Sequence, residues 1–126
     1  MTDPHSVRTG FARLVRATGY SIDGFAAAYR GESAFRQEVW AAAVLLPLAL
    51  WVGHGWVEIA LLMGTVLLVL IVELLNSGIE TAIDRVSLEF HELSKRAKDV
   101  ASAAVFLSLA LCGGVWLTAL WQRLTH

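Results

Sequence analysis

Three stretches of the chain stay uncharged long enough to enter a bilayer: 19 residues from Val39 to Val57, 14 from Ile59 to Val72 and 22 from Val100 to Trp121. About 18 to 20 apolar residues, rising 1.5 Å each, cross a hydrocarbon core of about 30 Å. The first stretch contains the turn signal Gly53-His54-Gly55, so a spanning helix is expected over about 34–53, with Pro47 as a place for a kink, and a second begins near Trp56. The second stretch is too short to cross alone. Its helix must include Glu73 or end beside it, and a helix over about 56–84 would be roughly 43 Å long, with its last turns outside the hydrocarbon. The third helix is expected over about 97–122, with Ser94 as its N-cap.

Ahead of these, the pattern is amphipathic. Phe11, Leu14, Val15, Thr18, Ile22, Phe25 and Tyr29 share one helical face, and Arg13, Arg16, Tyr20 and Asp23 lie opposite. A helix over about 8–30 should therefore lie in the membrane interface with its apolar face down. Gly19 and Gly24 each cost about 1 kcal/mol relative to Ala and mark an expected bend; Gly31 should end the helix. Residues 32–38 read as a connector or as the first turns of the next helix. Residues 1–7, with Pro4 and no periodicity, are expected to be an unstructured extension. The fold class is all-α: one surface helix and three transmembrane helices in a single domain.

Composition agrees: 56% of the 126 residues are hydrophobic. The net charge of −1 conceals an asymmetry, because Arg8, Arg13, Arg16, Arg30 and Arg36 precede the first apolar run and Arg85, Lys95, Arg96 and Lys98 fill the second connection, leaving only Arg123 elsewhere. The positive-inside rule then puts the N-terminus in the cytoplasm and the C-terminus outside. Trp40 on one side and Trp51, Trp56 and Trp121 on the other fit aromatic belts. The single Cys112 excludes an intramolecular disulfide and reads as a buried small residue. No apolar core of roughly 7 to 15 residues follows the start, so a signal peptide is not expected.

The chemistry lies on the second spanning helix. Glu73, Asn76, Ser77, Glu80, Asp84 and Ser87 fall within about 100° of one another and form a polar stripe. Asn76, Ser77 and Asp84 can be read simply as interhelical hydrogen-bonding groups. Glu73 resists that reading, since no Lys or Arg within the spanning segments neutralises it, a setting that suits a general base or a proton carrier. Counted from Trp56, it lies about 26 Å along the axis, at the headgroups, and Glu80 lies about 10 Å further, in water. Glu80, one turn from Asn76 and Asp84, offers hard oxygen ligands suited to Mg²⁺ shared with substrate phosphates. Lys98, at a helix start, can meet a phosphate. Taken alone it reads rather as an orienting charge, His91 as a loop or cap residue, and Arg13 with Tyr20 as a solvated face.

Taken together, ESAFRQE at 32–38, VELLNSGIETAIDR at 72–85 and EFHELSKRAKDVASAAV at 89–105 closely resemble the small prokaryotic integral-membrane diacylglycerol kinases. The resemblance runs from about Gly10 to Trp121. It implies a homotrimer in the bacterial inner membrane that moves the γ-phosphate of MgATP to diacylglycerol, giving phosphatidic acid. It makes Glu73 the general base and Glu32 and Glu80 the metal carboxylates. The nucleotide would meet Arg13, Tyr20, Glu32, Asn76, Glu80, Glu89, Phe90, His91, Lys98 and Asp99. The lipid would meet Arg13, Ala17, Tyr20, Ser21 and Ile22, residues 26–29, Ala34, Arg36, Gln37 and Glu38, then Trp51, Glu73, Ser102 and Trp116. Three positions depart from the family pattern: Gly78 replaces its usual Ala, Phe90 stands where Tyr is frequent, and Lys95 stands where some members have Gly.

Neither a Walker A motif nor a protein-kinase glycine loop is present, so the phosphates would be held by side chains from several helices. Two rival functions stay open. A polyprenol kinase would use the same machinery on undecaprenol. A small proton-coupled transporter would use Glu73 as its proton carrier but would leave Glu32, Glu80 and Lys98 without a role.

Overall fold

The computed structural model describes the backbone of residues 4–126 and the side chains from residue 9 onward. Among the described residues the secondary structure is four α-helices: α1 (Pro4–Gly31), α2 (Ser33–Val52), α3 (Trp56–Val86) and α4 (Glu92–Thr125). The last three are long and apolar enough to cross a membrane.

Residues 4–7, expected to be unstructured, belong to α1. Pro4 opens that helix, where its fixed φ and missing N–H cost nothing. Residues 1–3 lie outside the described residues. No break occurs at Gly19 or Gly24, and α1 runs unbroken to Gly31. Its apolar face stays uncovered, with Phe11, Leu14, Val15, Ile22 and Phe25 exposed; among its described side chains only Ala28, near the C-terminal end, is buried. That is the arrangement of a helix that lies on lipid.

Residues 32–38 are no connector. One extended residue, Glu32, separates α1 from α2, and Arg36 reaches back to donate from Nη1 to the carbonyls of Tyr29 and Arg30, at 2.9 Å each. Those are among the last carbonyls of α1, which have no partner inside the helix. Trp40 Nε1 adds a bond to the Tyr29 hydroxyl at 3.2 Å. The surface helix is thus fixed to the base of α2.

The α2–α3 turn needs both its glycines, for different reasons. A Cβ on Gly53 would sit 2.7 Å from Ile59 Cγ1 and 3.0 Å from Ile59 N, while Gly55 has φ +86°, a region L side chains rarely enter. At the other end, α4 starts earlier than Ser94. His91 is its cap, with Nδ1 accepting from Leu93 N–H at 3.0 Å, and Ser94 falls inside the first turn.

The central helix is α3, which packs on α2 and α4. The core joins Ala42, Ala49 and Val52 of α2, Leu62 and Val66 of α3 and Trp116 of α4, with half-buried Cys112 against it. Small residues on α2 let the backbones approach, as membrane helices require. Many large apolar side chains, among them Val44, Leu61, Phe106 and Leu117, remain exposed. Lipid, as apolar as they are, leaves no drive to bury them.

Candidate active site

Burial along the polar stripe falls in the order of its residues. Glu73 is buried, with 7% of its surface exposed; Asn76, Ser77 and Glu80 are half-buried; Asp84 and Ser87 are exposed. The stripe therefore leads from the packed helix interface into open surface within four turns.

Four carboxylates gather at its upper part. Glu38, in the second turn of α2, faces Glu73 of α3, and Glu32 and Glu80 are near enough to act on Glu73 electrostatically. Glu32 is reached by Ser77 Oγ, and Glu80 Oε1 by Asn76 Nδ2, each at 3.5 Å, the outer limit of a hydrogen bond. Two buried oxygens there have no donor, Glu38 Oε2 and Asn76 Oδ1. Buried acceptors without partners are few in folded proteins, and here both border the acid cluster. They suit a site whose remaining donors or cations arrive with substrate.

A second cluster lies where α3 gives way to α4. A cleft of about 420 Å³ is lined there by Asp84, Glu89, Phe90, His91, Lys95, Lys98 and Asp99, among others. Lys98 Nζ spans the two helices to Asp84 Oδ1 at 2.9 Å, and Lys95 Nζ holds Asp99 Oδ2 at 2.6 Å. Glu80 adds to the negative field at Lys98, which ties this cleft to the acid cluster. The loop has its own order, since Glu89 N–H donates to Ser87 Oγ at 3.0 Å.

Other residues singled out from the sequence stand elsewhere. Arg13, Ala17, Tyr20, Ser21 and Ile22 lie exposed on α1, where the Ser21 hydroxyl bonds to the Ala17 carbonyl. Ala34 and Gln37 are exposed on α2, and Arg36 is engaged in capping α1. Ser102 is exposed on α4. Trp51 lies at the far end of α2, with the Arg123 guanidinium 4.9 Å above its ring. Trp116 is a core residue: it is 9% exposed, and its Nε1–H donates to the Leu62 carbonyl at 3.1 Å. Leu62 precedes Glu73 by eleven residues, about 16 Å along the helix axis. Within this chain neither tryptophan joins the acid cluster.

The chain matches the prokaryotic diacylglycerol kinase family over residues 19–120. The chain belongs to that family. It is 52% identical over 117 residues to a diacylglycerol kinase of Pseudomonas aeruginosa, a match covering 93% of this chain and 95% of the relative. With the diacylglycerol kinase of Escherichia coli K12 it shares 45% over 115 residues, 91% and 94% of the two chains. With that of Helicobacter pylori 26695 it shares 43% over 114 residues, 90% and 85%.

In this family member the departure at Gly78 has a simple outcome. A Cβ there would meet nothing within 4 Å, so no close approach within this chain requires the glycine. Phe90 projects into the open, 78% exposed. Sequence reasoning did not pair Glu38 with Glu73 or Asp84 with Lys98. Both contacts link residues on different helices, and no local spacing signals them.

Proposed function

We propose that this chain transfers the γ-phosphate of ATP to the free hydroxyl of diacylglycerol, forming phosphatidic acid and ADP, at the cytoplasmic interface of the bacterial inner membrane. The observation that carries the reading is the buried Glu73 at the junction of α2 and α3, with Glu38 facing it and Glu32 and Glu80 within electrostatic reach. A carboxylate at headgroup depth can accept the proton of a lipid alcohol as that oxygen attacks the γ-phosphorus. The bond from that phosphorus to the β–γ bridging oxygen breaks, and ADP leaves.

Glu32 and Glu80 would hold Mg²⁺. Among the described residues no three His, Cys, Asp or Glu converge as a metal cage. That fits an ion shared with phosphates and water, for which one or two carboxylates suffice, and Asn76 Oδ1 beside Glu80 has an unused acceptor. When bound, the ion neutralises charge on the transferring phosphate. By the family resemblance Lys98, Arg13 and Tyr20 would meet the nucleotide. The excess of Lys and Arg on that side supports a cytoplasmic N-terminus. The family resemblance also implies a homotrimer.

Purified protein in mixed micelles should move label from γ-labelled ATP to diacylglycerol, require Mg²⁺, and label undecaprenol far less when both lipids are offered. Preferential labelling of undecaprenol would reassign the acceptor. Absence of labelled lipid would overturn the kinase reading.

A further inference from the structure

We propose that Lys95 is a nucleotide-affinity residue: its ammonium neutralises Asp99 and so weakens the repulsion that the acidic cleft between the end of α3 and the start of α4 offers a polyanion. The inference rests on reading that cleft as the nucleotide site.

The charged side chains lining the cleft are Asp84, Glu89 and Asp99 against Lys95 and Lys98. Lys98 is already engaged by Asp84 at 2.9 Å. Without Lys95, a single ammonium would face three carboxylates, and a triphosphate would enter against a stronger repulsion. With it, Asp99 is neutralised at 2.6 Å and the acids exceed the ammoniums by only one.

Helix stability does not account for Lys95. It lies in the first turn of α4, where the helix dipole disfavours a cation. It precedes its acid by four residues, and that order is the weaker one for such a pair. Both side chains are 63% exposed, so the contact adds little to the fold. A phosphate is what the start of a helix favours, and Lys95 and Lys98 stand about one turn apart on the cleft that opens there.

The test is steady-state kinetics of Lys95→Gln and Lys95→Arg at saturating Mg²⁺ and diacylglycerol, with Lys98→Met alongside. At low ionic strength Lys95→Gln should raise the KM for ATP about three- to tenfold, with kcat unchanged. The difference should shrink in about 1 M salt, where screening acts within about 3 Å. Lys95→Arg should restore the wild-type KM. If Lys98→Met raises the KM and Lys95→Gln does not, the inference fails while the nucleotide cleft stands. If neither variant moves it, the reading of the cleft fails as well. A loss in Lys95→Gln that persists undiminished in salt would indicate a packing role and likewise overturn the proposal.

Discussion

Trp116 separates a structural role from a lipid-binding one, and the two make opposite predictions. Its ring lies in the core among Ala49, Val52, Leu62 and Val66, and its indole N–H bonds to the Leu62 carbonyl at 3.1 Å. Removing a buried Trp from a water-soluble core costs roughly 3 to 5 kcal/mol. Here lipid rather than water is the alternative surrounding, so the transfer share falls away and the lost packing remains, about 2 to 3 kcal/mol for Trp116→Ala. Trp116→Phe keeps most of the volume and loses one interhelical hydrogen bond, which averages about 0.6 kcal/mol within membranes. Thermal unfolding in detergent should therefore rank wild type above Phe and Phe well above Ala. The KM for diacylglycerol should stay at the wild-type value in the Phe variant. A raised lipid KM with an unmoved melting midpoint would refute the placement of this ring in the core.

Two other perturbations probe the two ends of the site. Lys98→Met should raise the KM for ATP about ten- to a hundredfold, as expected for a lost charge-assisted phosphate contact. It should leave the melting midpoint nearly unchanged, because its ion pair with Asp84 is about 40 to 50% exposed; an unchanged KM would remove Lys98 from the nucleotide site. Gly78→Ala should stabilise the protein by up to about 1 kcal/mol in thermal unfolding, since the new methyl meets open space in a helix interior. A destabilised Ala variant would mean that something else packs on α3 at that position.

The four helices could be read from periodicity because each uses one strong signal: the split apolar face of α1, the Gly53-His54-Gly55 break, and uncharged runs in α2 to α4. The misjudged ends were those set by single contacts. Pro4 reads as a breaker until its place at the start of α1 is seen, and His91 caps α4 through a ring nitrogen where Ser94 carries the commoner cap chemistry. Within the site, Glu73, Asn76 and Glu80 were visible as one stripe, since 100° per residue puts them on one face. Glu38 was not, because its carboxyl meets Glu73 only once α2 packs on α3 at one register. Arg36 and Trp116 show the converse. Both are lipid positions by the family resemblance, and nothing local in the sequence shows that one caps α1 and the other fills the core.

The central claim is that a buried acid on α3 takes the proton from a lipid alcohol, and Glu73→Gln tests it directly, since it keeps the side chain's volume and removes its basicity. Phosphatidic acid formation at saturating ATP and diacylglycerol should fall by about 10² to 10⁴, the usual worth of a general base, with the melting midpoint and the KM for ATP preserved. A Gln variant that still turned over near the wild-type rate would contradict the account.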